Sequence, residues 1–347
     1  MSLNEAMARL PRVVDLLAAR ADEHDREAAF PYRGVEALHE AGLLTLTVGT
    51  EHGGVGAGVA DTVRLLAALG GGDPSVALLA ADTLLTHAAQ ARAARWPAAA
   101  YKSLLADSRR GPALVGSLRA AEGGAGVTAS RGSEGWLLTG REQAVPGAEA
   151  LAWMTVEARL EDTAEERATF LVPGDSPGVA VEPGWEQLGL RAGAVQDVHF
   201  EKVQAQDAHR LASPTPRDEA CRRLAIAAVC LGIGGGAHTW LARNGRGLPA
   251  SELGRVALEL AEAEELLNGI AGGLDADLAG ADRRAAWLAP GIAQRGLSVV
   301  QRVVALSGAT GLSRVVPLER HLRDAVSVRA LLPREDVVLH EAGSSPL

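Results

Sequence analysis

The spacing of the hydrophobic residues changes twice along this chain of 347 residues. Residues 1–112 and 213–347 carry apolar residues at helical spacing, whereas the convincing strands all lie between Ala113 and Leu211. In the clearest strand, Val195–Val203, polar and apolar residues alternate as in a half-buried antiparallel strand. A β insert between two helical regions is an uncommon plan. It predicts an α+β protein with an N-terminal helical domain (1–112), a middle β-barrel or sandwich domain (113–212) and a C-terminal four-helix bundle (213–347).

The last of these domains is predicted to be an antiparallel bundle, because its helices are long and their joints are short. The four helices are expected at Asp218–Leu241, Ser251–Leu278, Arg283–Leu306 and Pro317–Leu332. The third and fourth carry more apolar residues than one internal face needs, such as Leu297, Val299, Val300, Val303, Val304 and Leu306. A second apolar face would pack on another subunit, so we expect a homodimer or a homotetramer.

Charge and composition narrow the range of partners. The net charge is −9 and no basic run occurs, so neither nucleic acid nor an anionic membrane is expected as a partner. The longest apolar run, Leu224–Ala237, is too short and too rich in glycine to span a bilayer. Nine histidines show no metal-ligand spacing, so no metal site is predicted. The two cysteines would not face each other on one helix, which fits a reducing cytoplasm.

A family resemblance is carried by FPYRGVEALHEAGLLTLTVGTEHGGVGAG (Phe30–Gly58), by GWLLTGREQAVPGAEALAWM (Gly135–Met154), by the stretch Phe170–Val203 and by VVPLERHLRDA (Val315–Ala325). Together these segments span essentially the whole chain, and it resembles the acyl-CoA dehydrogenase family of flavoproteins. The resemblance implies the same three domains in the same order. It also implies FAD as the cofactor and a small-molecule substrate, an acyl thioester or a similar compound of unspecified chain length.

The family's chemistry needs a carboxylate that removes a proton beside the thioester, and a flavin that accepts a hydride. The resemblance places that carboxylate at Leu332 or, as in a minority of members, at Arg222, and neither residue is an acid. Glu335 and Glu219 lie three residues away, nearly one helical turn, so they are the candidate catalytic bases. The alternative is that both are solvated surface acids. Arg223 matches the arginine after the second position, which implies a role in substrate binding.

The flavin ring is implied to lie beside the stretch AEGGAGVT, at Ala121, Glu122, Gly124 and Gly126. This stretch lacks the hydroxyl groups of the family's motif, but its glycines could offer backbone N–H groups. The alternative is an ordinary glycine turn.

Two further positions that hold the flavin ring in the family are Ala144 and Pro146 here. They replace a tryptophan and a threonine. Proline has neither an N–H nor a hydroxyl group, so no hydrogen bond to the ring is available there. Weak or absent FAD is therefore expected.

The pyrophosphate end of the cofactor is implied to rest on Arg243, partly across a subunit boundary, and on the backbone near Gly308 and Gly311. Arginine suits a pyrophosphate. For the two glycines the alternative is close packing between a helix and a loop.

Three functions remain open from the sequence. The first is an FAD-dependent dehydrogenase with a displaced base. The second is a flavin-dependent monooxygenase of the same fold, since such relatives use reduced flavin and oxygen and do not need the glutamate. The third is a flavin-free relative that binds a ligand or a partner.

Overall fold

The computed structural model describes residues 2–119, 126–161, 167–184 and 187–344. Its helices are α1 (Leu3–Glu27), α2 (Tyr32–Glu40), α3 (Val59–Gly72), α4 (Pro74–Ala93), α5 (Ala98–Arg110), α6 (Pro216–Asn244), α7 (Ala250–Asp275), α8 (Ala281–Ser307), α9 (Leu318–Ala330) and α10 (Glu335–Ser344). Its strands are β1 (Leu114–Leu118), β2 (Val127–Gly132), β3 (Gly135–Val145), β4 (Leu151–Leu160), β5 (Arg167–Pro173), β6 (Val179–Pro183), β7 (Gln196–Ala205) and β8 (Arg210–Leu211). The predicted order of helices, sheet and helices is confirmed, while the domain boundaries remain a prediction.

The strands form one mixed sheet in the order β6-β7-β3-β2-β4-β5-β8, with β1 beside β4. β7 pairs antiparallel with both β3 and β6, as its alternating pattern predicts. β1 and β2 run parallel to β4 and occupy successive parts of it. The sheet core is formed by the inward side chains of these strands, among them Trp136, Phe170 and Phe200.

Helix starts follow the capping chemistry in the sequence. Thr215 and Asp218 form a capping box at the start of α6, with Pro216 in the first turn. Asp73 accepts hydrogen bonds from the N–H groups of Ser75 and Val76 and so caps α4. Near the start of α6, Glu219 accepts a hydrogen bond from Arg119, which follows β1 directly.

Glycines let the central helix α6 approach its neighbours closely. A side-chain carbon at Gly232 would overlap the carbonyl oxygen of Ala67 on α3. A side-chain carbon at Gly234 would lie 3.1 Å from the carbonyl oxygen of Gly296 on α8. Gly232 and Gly234 in the run GIGGG (Gly232–Gly236) therefore let α6 pack closely on α3 and on α8.

The apolar face of α8 is buried within the single chain, which corrects the basis of the oligomer prediction. Val299, Val300 and Val303 are fully buried, and Leu297 and Val304 are each 8% exposed. These five side chains lie where α8 contacts α6, α7 and α9, so they do not form a second apolar face for a partner, and Leu306 is half-buried. The homodimer or homotetramer stays a prediction that needs other support.

The last helices differ from the sequence prediction. α9 ends at Ala330, two residues before the predicted end, and a further short helix, α10, follows after Pro333.

In α9 a buried acid, Asp324, joins the bundle to the sheet domain. Its Oδ1 accepts a hydrogen bond from the Leu190 N–H at 2.7 Å. Burial raises the pKa of Asp324 to about 7, against the lowering effect of Arg320 and of that hydrogen bond.

Within the described part of the chain, α6 is the one helix that is long and apolar enough to cross a membrane. Of its most apolar window, 72% is buried inside the fold, as expected of a core helix. The cytoplasmic location remains a prediction.

Candidate functional site

A small cavity lies where α3, α4 and α6 meet the end of the sheet. We call it the junction cleft; its volume is about 140 Å³. Its lining includes the apolar residues Val63, Leu85 and Ala225. The polar lining residues include Asp82, Ser117, Thr155, Arg119 and Arg222, together with the arginines Arg92 and Arg95, here called the rim arginines, and Asp218.

Asp82 is fixed in the cleft by the edge of the sheet. The N–H of Ser117 on β1 donates to Asp82 Oδ2 at 3.0 Å, and the N–H of Val115 donates to Thr83 Oγ1 at 2.9 Å. Two consecutive side chains of α4, Asp82 and Thr83, thus accept hydrogen bonds from two backbone N–H groups of β1. Burial raises the pKa of Asp82, although the Ser117 N–H and the charges of Arg222 and Arg119 act to lower it.

Glu219 lies next to the cleft and is held by three arginines. Its carboxylate accepts hydrogen bonds from Arg222 Nε and Nη2 at 3.0 and 2.9 Å, from Arg223 Nε at 3.0 Å and from Arg119 Nη1 at 3.0 Å. Burial alone would raise the pKa of Glu219. The hydrogen bonds and charges of the arginines dominate, however, and bring the pKa to about 2. A carboxylate with such a low pKa is a weak base.

The rim arginines are engaged in holding the domains together. Arg92 Nη2 contacts Asp218 Oδ1 at 2.6 Å, and Arg95 Nη1 lies 3.5 Å from Asp218 Oδ2. Arg95 also donates to the carbonyl oxygens of Ala212 and Ser213 at 3.0 and 2.6 Å. These bonds tie the end of α4 to the segment that leads into α6.

Among the predicted site residues that the structure describes, Arg222 alone lines the junction cleft. Arg223 lies beside it but turns to an outer cavity, where its Nη1 is 3.3 Å from Glu341 Oε2 and 3.4 Å from the carbonyl oxygen of Ala286. Its role in substrate binding stays a prediction that this geometry does not support.

The second predicted base position is also remote from the cleft. Leu332 is buried and follows the last turn of α9. Glu335 is exposed at the start of α10. Neither residue is among the side chains that line the cleft.

The positions that would contact a flavin ring are shaped by a bulge in β3. The register with β7 shifts between Glu142 and Val145, and Ala144 has a φ of 59°. The bulge turns the Ala144 N–H to Asp197 Oδ1 at 2.9 Å, so this donor is already used. Pro146, which lacks a donor, is exposed.

Of the glycine-rich stretch, Gly126 is described, with a φ of 57°, and its carbonyl oxygen lies against Gly140. The predicted contacts at Ala121, Glu122 and Gly124 lie outside the residues that the structure describes. The positive φ fits a glycine turn and leaves the flavin contact a prediction.

The residues predicted for the pyrophosphate lie near the far end of the bundle. At roughly 1.5 Å per residue, α6 separates Arg222 from Arg243 by about 32 Å. Arg243 is exposed and lines a different, larger cavity of about 930 Å³. A side-chain carbon at Gly311 would lie 2.8 Å from the carbonyl oxygen of Val304, so this glycine serves close packing. Gly308, with a φ of 57°, ends α8.

Asp82 is the functional candidate that the sequence reasoning missed. A signal was present, because Asp82 is the only Asp, Glu, Lys or Arg between Asp73 and Arg92. A charged side chain that folding places partly inside a protein requires a partner or a function.

Comparisons with known proteins agree with this fold. The family descriptions "Acyl-CoA dehydrogenase, N-terminal domain" and "Acyl-CoA dehydrogenase, middle domain" match residues 12–96 and 120–203. A provisionally named acyl-CoA dehydrogenase of Bacillus subtilis (strain 168), YdbM, is 26% identical over 96% of this chain and 94% of its own. The amino sugar nitrososynthase DnmZ of Streptomyces peucetius is 27% identical over 91% of this chain and 86% of its own.

Two solved structures share the fold over nearly the full length. Methanesulfinate monooxygenase MsuC from Pseudomonas fluorescens superposes with a TM-score of 0.87 at 19% identity, covering 98% of this chain and 97% of the other. KijD3, in complex with FMN and dTDP-3-amino-2,3,6-trideoxy-4-keto-3-methyl-D-glucose, gives 0.85 at 23% identity, covering 98% and 92%.

Proposed function

Since the chain belongs to the acyl-CoA dehydrogenase family, we propose that it is a flavin-dependent monooxygenase of that fold. In such a reaction reduced flavin supplies two electrons and two hydrogens, one atom of O2 enters the substrate, and the other leaves as water. Relatives and neighbours with the same fold support the class, because their names include nitrososynthases and monooxygenases.

One observation carries this proposal. The position beside the cleft where a dehydrogenase could hold its base is occupied by the guanidinium of Arg222, and the other position is the buried Leu332. Glu219 is locked to three arginines and Glu335 is exposed outside the cleft. A monooxygenase needs no carboxylate at either position.

The described residues suit a flavin that binds transiently. The Ala144 N–H is taken by Asp197, and Pro146 has no donor, so two contacts that would tighten a resident flavin are lost. Each lost hydrogen bond weakens binding by about 0.5–1.5 kcal/mol. FAD or FMN that arrives already reduced and leaves after oxidation matches this site better than a permanent cofactor.

The chain's own contribution is assigned to the cleft. Asp82, with one oxygen fixed by Ser117, is the residue that exchanges a proton with the bound substrate. The apolar wall at Leu85 and Ala225 excludes water from the reacting group. Arg222 and Arg119 orient the substrate beside Asp82.

A dehydrogenase with a displaced base is the second candidate, and Asp82 is the observation that favours it. Asp82 is the carboxylate in the cleft whose pKa is raised, so it is the better base than Glu219. The cleft volume of about 140 Å³ counts against a long acyl thioester.

The two candidates are separated by oxygen uptake. Purified protein is supplied with enzymatically reduced FMN or FAD and a panel of small substrates, and oxygen consumption above the background of free reduced flavin is recorded. In parallel, acyl-CoA thioesters are tested with an artificial electron acceptor in the absence of oxygen. We expect substrate-dependent oxygen use and no acyl-CoA oxidation. Anaerobic acyl-CoA turnover would favour the dehydrogenase.

Assembly remains part of the proposal. The connection between α8 and α9 exposes Leu312 (62%) and Val315 (90%), next to Gly308 and Gly311. Burial of apolar side chains between subunits is favourable, so an interface at this connection would bury these two residues. A homodimer or homotetramer that buries them is expected, and Val315→Asp should lower the sedimentation coefficient. A wild-type monomer at micromolar concentration would contradict this.

A further inference from the structure

The charges that line the junction cleft are unbalanced, although the chain as a whole is acidic. Four arginines and two aspartates line it, whereas the net charge of the chain is −9. Asp218 is shared by Arg92 and Arg95, and Glu219, just outside, is shared by three arginines. A cleft with an excess of cationic groups attracts anions.

Two of these arginines keep donors for a ligand. Arg222 uses Nε and Nη2 on Glu219, and no described residue accepts a hydrogen bond from its Nη1. Arg119 uses one Nη1 contact on the same carboxylate. Glu219 therefore holds both guanidinium groups in place and leaves part of each toward the cleft, an arrangement that suits a carboxylate or a similar oxyanion.

Asp82, which lines the same cleft, does not repel a bound anion when Asp82 is protonated. Burial raises the pKa of Asp82, so the group holds its proton to a higher pH than an ordinary aspartate does. A protonated Asp82 donates a hydrogen bond instead of repelling the ligand. Its neighbours are Arg119, Arg222 and the Ser117 N–H.

Size and polarity restrict the ligand further. The cleft is smaller than the roughly 300–1,000 Å³ of pockets for drug-sized ligands, so a nucleotide or a whole flavin does not fit inside it. The lining also includes apolar side chains, at Val63, Leu85 and Ala225. The ligand therefore has an anionic head and a short apolar part.

From these contacts we infer that the substrate is a compact organic anion, a carboxylate or a sulfinate, held by Arg222 and Arg119. The inference rests on the proposed function only in taking the cleft as the substrate site. Binding of the anion itself requires neither flavin nor oxygen.

The test is isothermal titration of the full chain, without flavin, with propionate and with methanesulfinate, each against neutral propionamide. Both anions are expected to bind, and propionamide is not. Arg222→Gln should weaken anion binding at least tenfold, about the effect of losing one hydrogen bond to a charged group. Arg223→Gln is the matched comparison, because Arg223 shares Glu219 but faces the outer cavity. It should change the affinity by no more than about twofold, within the scatter of such measurements.

Several outcomes would overturn the inference. These are equal binding of propionamide, no binding of either anion, or equal losses in the Arg222 and Arg223 variants. A variant that weakens FMN but not riboflavin, with no binding of small anions, would assign the arginines to the flavin phosphate. If Arg222→Gln does not fold, as judged by circular dichroism, Arg119→Gln carries the same test. Anion binding without oxygenation would refute the proposed reaction and leave this inference intact.

Discussion

The Ser117 N–H donates to Asp82 Oδ2 at 3.0 Å, so one side chain both completes the edge of the sheet and lines the junction cleft. An unpaired N–H at a buried strand edge would be costly, and Asp82 prevents that cost. The same bond fixes one carboxylate oxygen and leaves the other for a ligand. Asp82 therefore has a structural role at the sheet edge and a chemical role in the cleft, and substitutions can separate these two roles.

Asp82→Asn should retain the fold and lose the reaction. The amide oxygen of asparagine still accepts from the Ser117 N–H, but the side chain no longer exchanges a proton. We expect turnover to fall by about 100-fold or more, while the unfolding midpoint changes little. Thr83→Val is the control, because it removes the neighbouring bond to Val115 outside the cleft. It should lower the free energy of unfolding by about 1–3 kcal/mol and leave turnover per folded molecule unchanged. Wild-type turnover in Asp82→Asn would refute the assigned role.

Glu219→Gln should act on stability. The carboxylate joins Arg119, Arg222 and Arg223, so its neutral replacement leaves three guanidinium groups without their shared partner. We expect the free energy of unfolding in urea to fall by about 1–3 kcal/mol. Glu335→Gln, at an exposed site, should change neither stability nor turnover. If Glu335→Gln abolishes turnover of a stable protein, the base lies on α10 after all.

The glycines of α6 give a matched pair for the helix crossing. Gly232→Ala places a carbon against the carbonyl oxygen of Ala67 and should destabilise the fold by about 1–3 kcal/mol. No heavy atom lies within 4 Å of a side-chain carbon at Gly235, so Gly235→Ala should stabilise the helix by about 0.5–1 kcal/mol. Thermal unfolding measures both. Equal effects would show that α3 and α6 are farther apart than the structure places them.

Stability should decrease with pH through Glu142. This side chain is buried, and burial, with the charge of Glu157, raises its pKa from 4.5 to about 7 despite Arg167. The folded chain then keeps the proton between about pH 4.5 and 7, where the unfolded chain has lost it. Rising pH therefore removes stability across this window, by about 2–3 kcal/mol. Glu142→Gln should be more stable than wild type at pH 8 and nearly equal at pH 4.5. If Glu142→Gln is more stable than wild type by the same amount at every pH, the raised pKa of Glu142 is contradicted.

Much of the fold could be predicted from the sequence, because the strands alternate cleanly and end at glycine or proline. The predicted Trp136–Val145 strand, for example, begins at Gly135 and ends at Val145 as β3. The face of α8 was misjudged for a physical reason: its valines pack against three helices at once, which spacing along one helix does not reveal. The short helix α10 was missed because it lacks a sustained apolar pattern and buries no residue.

The arrangement of residues in the junction cleft was much harder to predict from the sequence. Arg222 was noticed only as an unexpected residue at a base position, and the sequence did not indicate that Glu219, a candidate base, would be its partner. The bond between Glu219 and Arg119, a hundred residues earlier, exists only once the fold brings α6 to the end of β1. Asp82 meets Ser117 in the same way, across a distance that no local pattern encodes.

The central claim is that this chain transfers oxygen to a small substrate and does not dehydrogenate an acyl thioester. The most direct measurement is mass spectrometry of products formed from small organic anions in the presence of reduced FMN and isotopically labelled oxygen gas. The account predicts a product heavier by one labelled oxygen atom, whose amount falls by about 100-fold or more in Asp82→Asn. An unsaturated acyl-CoA product, formed with an artificial acceptor and without oxygen, would contradict it.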